Sequence, residues 1–204
     1  MNWLAHIFLS EQTVDFQIGN YLADPLKGRT WDNASLDMKK GMQVHKIIDS
    51  YTDAHTQFKR SKIRLGERGL LKPIIIDLTY DYLLTKNWNV YSLIPIDEFL
   101  QTFYTQANNQ LPLLPQNANL SLKRLIEHDI LNKYQNLEHL KMAFQRVDKR
   151  LSPRLYKRDQ AISYFDRVSL HIEDIEKDFL LFFPQLCAEV KKNLNQNKIE
   201  HWRV

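Results

Sequence analysis

His45, Asp49, Thr52 and Asp53 stand at offsets of zero, four, seven and eight, which lines them up along one polar stripe of a helix. An imidazole and a carboxylate one turn apart can ligate a common cation, and that donor pair suits Mn, Fe or Zn. A solvated His/Asp pair on a helix surface has the same spacing, so the stripe alone leaves both readings open. The segment PIIIDLTYDYLL, Pro73 to Leu84, is more demanding. It is apolar around most of its circumference, as a buried helix would be, yet it carries Asp77 and Asp81 one turn apart on one face. Two carboxylates in a poorly hydrated place repel each other and lose solvation. They must be protonated, paired with buried Arg or Lys, or bound to metal. His6 lies inside apolar WLAHIFL, where backbone groups could satisfy it, and Asp24 closes IGNYLAD ahead of Pro25, where it could end a helix or form a turn. Together His6, Asp24, His45, Asp49, Asp77 and Asp81 are oxygen and imidazole donors on separate helices, the inventory for one or two divalent cations in a helical bundle.

Helices are what the rest of the chain offers to position these donors. Its 204 residues include only 5 glycines, none after Gly69, and 7 prolines, which disfavours a turn-rich β sandwich. With 44% hydrophobic and 25% charged residues, the chain is large enough to bury a core without staples. We expect one all-α domain over 1–204, a compact multi-helix bundle with a metal-site region over 1–90 and a helical scaffold over 91–204. The apolar period predicts helices over 2–10, 14–23, 35–57, 73–87, 95–108, 118–131, 135–149 and 160–195. The last of these repeats apolar residues from Phe165 to Leu194 at steps of three and four, and Pro184 inside it predicts a kink.

Other chemistries lack their parts. The chain has no G-x-S-x-G elbow, no Gly-rich phosphate loop, no G-x-G-x-x-G fingerprint and no H-E-x-x-H helix. The dipeptide His128-Asp129 is flanked by Lys123, Arg124 and Glu127 and reads as an exposed helix. The single cysteine, Cys187, reads as packing, and it excludes an intramolecular disulfide framework and a multi-cysteine zinc site. No basic residue precedes the first apolar stretch, and the apolar run Phe179 to Phe183 ends at Pro184, so a cytoplasmic protein with no membrane span is expected. The net charge of +4 is unevenly spread. Lys59, Arg60, Lys62, Arg64, Arg68 and Lys72 face one acid, Glu67, and a second stretch from Lys141 to Arg158 holds Arg146, Lys149 and Arg150 among its cations. Such stretches fit an acidic protein surface, nucleic acid, or simply a solvated face.

MNWLAH at the start, GNYLAD at Gly19 to Asp24, HKIIDSYTDAH at His45 to His55 and DLTYDYLLTKNW at Asp77 to Trp88 resemble the acyl carrier protein phosphodiesterases. Four motifs in the right order are far more specific than any one. The resemblance implies a divergent all-helical relative of the HD-domain metal-dependent phosphohydrolases. It also implies an activity, removal of 4'-phosphopantetheine from holo acyl carrier protein by phosphodiester hydrolysis, with Mn²⁺ as the expected ion and Mg²⁺ or Fe²⁺ as alternatives. Carried over residue by residue, it implies site roles for His6, Asp24, His45, Asp49, Asp53, Asp77 and Asp81. Family members often carry His where this chain has Tyr82, and some where it has Phe8.

The resulting expectation places His6, Asp24, His45, Asp77 and Asp81 at the metal, with Asp49 and Asp53 orienting imidazoles or water. His45 or His55 would protonate the departing serine oxygen. The acidic character that the resemblance implies for the carrier protein gives Arg60, Arg64 and Arg68 a docking role, and makes nucleic acid the less favoured partner. Reversing Arg64 and Arg68 to Glu is then expected to raise KM with little change in kcat. The rivals are the same chemistry on a nucleotide or other small phosphoester, and a non-catalytic helical module for an acidic partner.

Overall fold

Caps and proline starts cut the apolar periodicity into helices. In the computed structural model, which describes residues 1–204, α1 is Trp3–Phe8, α2 Val14–Leu22, α3 Leu36–Ala54, α4 Thr56–Arg64, α5 Lys72–Lys86 and α6 Trp88–Tyr91. They are followed by α7 Ile96–Gln110, α8 Gln116–Glu127, α9 Leu137–Asp148, α10 Pro153–Tyr156, α11 Phe165–Leu170 and α12 Ile172–Lys191. There is no strand, only an isolated antiparallel bridge between Ser92 and Trp202. The Ser35 hydroxyl accepts the Met38 amide to start α3, and the Asn136 side chain does the same for His139 in α9. The buried apolar side chains form one cluster running from Met1 to Trp202. The fold is therefore all-α, and no helix is long and apolar enough to cross a membrane.

Two elements differ from the sequence-based expectation. The helix expected over 35–57 stops at Ala54, because His55 turns to extended backbone and its Nδ1 accepts the Gln57 amide at 3.2 Å, capping a new helix. That helix, α4, carries the first half of the basic run and buries Phe58 and Ser61. The single helix expected over 160–195 is instead a 3-10 turn at Ala161–Tyr164, the short α11, and α12 after a break at His171. The Asp148 carboxylate fixes the turn by accepting the amides of Ala161 and Ile162. The helix α12 continues through Pro184, and on that turn the Gln185 side chain donates to the Leu181 carbonyl at 2.8 Å.

The α4–α12 contact gives Arg64 a structural duty. Asp178 of α12 is buried, and it accepts Arg64 Nε at 2.8 Å and the Ser61 hydroxyl at 3.1 Å, while the exposed Arg60 reaches it only at 3.5 Å. Arg64 is thus already engaged by a buried carboxylate, whereas Arg68 is exposed. Reversing Arg64 therefore tests the fold rather than docking. Arg64→Glu is expected to cost about 3 kcal/mol or more of stability, the scale for breaking a buried pair. Arg68→Glu should stay within about 0.5 kcal/mol. Urea denaturation of the two single variants checks this, and equal midpoints would contradict it.

The site depends on two further contacts. At the α2–α3 crossing, a methyl group at Gly19 would overlap the Met38 backbone, and one at Gly41 would overlap the Phe16 carbonyl oxygen. Only glycine lets the two helices approach so closely. At the other end of α1, the Phe8 carbonyl accepts from His201 Nε2 at 2.9 Å and Trp202 Nε1 at 3.0 Å. Burial pushes His201 down to about 4, so the ring stays neutral and serves as a cap on α1.

Candidate metal centre

Asp81, wholly buried on α5, orients α1. Its two oxygens accept the amides of Leu4 at 2.9 Å and Ala5 at 3.3 Å, donors that the first turn of a helix leaves unpaired. Burial pushes the carboxyl up to about 7, and the two amides act against that rise. Asn2, at the N-cap position, instead sends its side chain to the Tyr134 hydroxyl at 2.6 Å. With α1 held in this way, His6 faces α2 and α3.

Asn20 of α2 is the hub. Its side-chain amide donates to the His6 carbonyl and to the Ser10 hydroxyl, both at 2.9 Å, so its Oδ1 is left to accept from His6 Nδ1 at 2.9 Å. Its backbone carbonyl accepts from His45 Nδ1 at 2.8 Å. Both imidazoles are therefore protonated at Nδ1, and both turn Nε2 the same way, with the rings stacked 4.0 Å apart. Each Nε2 lies 3.1 Å from Asp49, His6 at Oδ1 and His45 at Oδ2. The His6 Nε2 is also 3.1 Å from the Met1 carbonyl oxygen.

This geometry suits a cation. A neutral imidazole anchored through Nδ1–H offers only a lone pair at Nε2, and here that lone pair faces a carboxylate oxygen and a carbonyl oxygen. Burial, aided by the neighbouring His45, pushes His6 down to about 4, so a proton is not what fills the gap at neutral pH. One donor atom from each of His6, His45 and Asp49 lies within 4.8 Å of the others, a trio that a divalent cation fits. The anchoring of both Nδ1 atoms is the outer-shell arrangement that metal-ligating histidines use.

The other expected residues are distributed around this trio. Asp77 Oδ1 lies 2.9 Å from the Met1 amino nitrogen, which is 3.7 Å from Asp49 Oδ1. Burial raises Asp77, and the amino group opposes it. No arginine or lysine pairs with Asp77 or Asp81. Asp24 accepts from Trp3 Nε1 at 3.1 Å. His6, Asp24, His45, Asp49, Asp53 and Asp77 all line one cavity of about 410 Å³. Asp81 and His55 do not line it. Asp81 is spent on α1, and His55 caps α4 and packs edge-on against Phe182. Asp49, expected behind the ligands, is the carboxylate between the two imidazoles, and Asp81, expected among them, supports α1. Phe8 and Tyr82 sit in the apolar core, away from the cavity lining. Sequence reasoning missed Asn20 as the anchor, although it stands inside the GNYLAD motif.

The four motif segments thus fall on α1, α2, α3 and α5 and meet around one cavity. A profile of the family described as acyl carrier protein phosphodiesterase matches residues 1–186. The chain belongs to this family. Proteins named acyl carrier protein phosphodiesterase from Enterobacter sp. (strain 638) and Klebsiella pneumoniae (strain 342) are each 27% identical to it, over 94% and 91% of this chain and 98% and 95% of their own. One from Escherichia coli is 26% identical over 94% of this chain and 98% of its own. No solved structure matches the chain. Membership of the acyl carrier protein phosphodiesterase family makes the chain a hydrolase of phosphodiesters, and the cavity is where its acids and imidazoles are concentrated.

Proposed function

We propose that the chain is a metal-dependent phosphodiesterase that hydrolyses 4'-phosphopantetheine from the serine of holo acyl carrier protein, giving the apo form. The observation that carries the reading is the convergence of two Nδ1-anchored imidazoles on Asp49 in a cavity of about 410 Å³, in a chain whose relatives are named for this activity. That volume lies in the range of ligand sites, and Ile74, Leu78 and Ile130 supply apolar wall for an extended prosthetic arm.

A divalent cation held by His6, His45 and Asp49, Mn²⁺ first and Mg²⁺ or Fe²⁺ as alternatives, would supply Lewis acidity that activates water near neutral pH and offsets phosphoryl charge. Asn20, by engaging both Nδ1 atoms, leaves both Nε2 lone pairs free to hold such an ion. Asp53, one turn on from Asp49, presents its carboxylate to the cavity, where it accepts the proton of the attacking water. Asp24 and Asp77 orient that water from the remaining walls. The phosphorus–oxygen bond to serine then breaks and the serine oxygen takes up the proton that Asp53 received from the water, since His55 does not line the cavity.

An acidic carrier protein would be steered by the cations beside the cavity, where Arg150 lies at the mouth and Arg154, Lys157 and Arg158 follow as exposed residues. Arg60 and Arg68 add to that field, and Arg64 does not. With its one cysteine buried and reduced, we place the protein in the cytoplasm.

Mass spectrometry of holo acyl carrier protein incubated with the protein and Mn²⁺ tests the reading. The expected result is loss of the whole prosthetic arm, blocked by chelator. An unchanged mass with every ion, or hydrolysis of small phosphodiesters alone, would overturn it.

A further inference from the structure

Arg146 and Arg150 line the same cavity as the acids, yet neither guanidinium forms an ion pair or a hydrogen bond within the protein. Arg146 stands in the last turn of α9, and Arg150 follows four residues later in the turn that ends it. A cation near a helix C-terminus is favoured by the helix dipole, which accounts for their place on the helix but not for the direction they face. Arg146 is half-buried, and burial and the neighbouring Arg150 both lower its affinity for a proton. Four carboxylates, those of Asp24, Asp49, Asp53 and Asp77, share the cavity, and no salt bridge joins either arginine to any of them. The two charge types therefore share one cavity without neutralising each other. A pair of guanidinium groups kept apart from available carboxylates is arranged for an anion that enters from outside. Guanidinium geometry matches the paired non-bridging oxygens of a phosphoryl group.

We propose that Arg146 and Arg150 form the phosphate-binding part of the cavity that the His6–His45–Asp49 trio also lines, gripping the non-bridging oxygens of a phosphodiester. This rests on the phosphodiesterase reading above and adds to it the groups that recognise the phosphoryl charge. Arg146 sits inside the cavity, where a flat protein surface does not reach, so its ligand is a group that enters. Arg150, exposed at the mouth, joins the cavity to the basic run outside.

Inorganic phosphate is the probe, titrated calorimetrically into the full chain with and without Mn²⁺. Arg146→Gln and Arg150→Gln are each expected to raise its Kd about tenfold, the loss of one charge-assisted partner, and the double variant to raise it further. Arg146→Lys should recover part of the loss. Mn²⁺ affinity and melting temperature should match the unsubstituted protein, which a merely structural role would not allow. If Arg146→Gln does not fold, Arg150→Gln on the exposed side carries the test. Phosphate binding that is undiminished in a folded double variant, or absent from the unsubstituted protein, overturns the proposal. Failure of the phosphodiesterase reading is seen separately: the prosthetic arm stays on holo carrier protein while the arginine dependence of phosphate binding persists.

Discussion

Asp49→Ala is expected to abolish Mn²⁺ binding and to lower kcat on holo acyl carrier protein by on the order of 10³-fold or more. Asp49 is the only carboxylate facing both Nε2 atoms, at 3.1 Å each. Its removal leaves two imidazoles with no carboxylate between them, which hold a hard divalent ion poorly. Without the ion, activation of the nucleophile and stabilisation of phosphoryl charge are lost together, each worth on the order of 10²-fold or more. The informative partner is Asp81→Ala. That change leaves the amides of Leu4 and Ala5 without acceptors inside the core, at about 1 to 3 kcal/mol each. Asp81→Ala should therefore lose stability first, and metal only as α1 loosens. Equilibrium dialysis with Mn²⁺ and thermal melts of both variants separate the roles. Stoichiometric Mn²⁺ on Asp49→Ala, or a metal-free Asp81→Ala with an unchanged melting temperature, would sink the assignment.

The sequence made the cost of the acids legible but not what settles it. Asp77 and Asp81 stand out because charge in an apolar helix is expensive; Asp81 is wholly buried, and Asp77 is half-buried at the cavity. Their partners were hidden for a physical reason. Asp81 is met by backbone amides, which no residue letter records, and those amides are contributed by a segment more than seventy residues away, Leu4 and Ala5. Nothing local sets Arg64 apart from the rest of the basic run, because Asp178 lies 114 residues on, inside the apolar stripe around Phe179 and Phe182. Residue type alone does not tell a proton-donating His55 from a capping one, and here its side chain caps α4. The spacing of Phe58, Ser61 and Leu65 at three and four was present in the basic run, and the density of charge masked it. The apolar period from Phe165 to Leu194 crossed the break at His171 without interruption because α11 and α12 both pack on the same core.

Two helix-interior glycines carry the second large prediction. Gly in a helix interior costs about 1 kcal/mol against Ala, so Gly19 in α2 and Gly41 in α3 must serve contacts that a side chain would forbid. Gly41→Ala is expected to destabilise the protein by about 3 kcal/mol or more, despite that propensity gain. The added methyl would overlap the Phe16 carbonyl oxygen and lie 2.8 Å from the Asn20 nitrogen. Both obstacles are backbone, so no rotamer change relieves them and the helices must part. Parting α2 from α3 also moves the Asn20 carbonyl off His45 Nδ1, now 2.8 Å away, and frees the ring that this bond orients. Mn²⁺ affinity in the surviving folded fraction should therefore fall by on the order of 10 to 100-fold, the scale for losing an outer-shell anchor. Gln43→Ala, on the exposed side of the same helix, should change stability by no more than about 0.5 kcal/mol and leave Mn²⁺ affinity alone. A Gly41→Ala protein that melts with the unsubstituted chain would show that the crossing has room. One that is destabilised yet binds Mn²⁺ undiminished would show that Asn20 does not transmit helix spacing to the imidazoles.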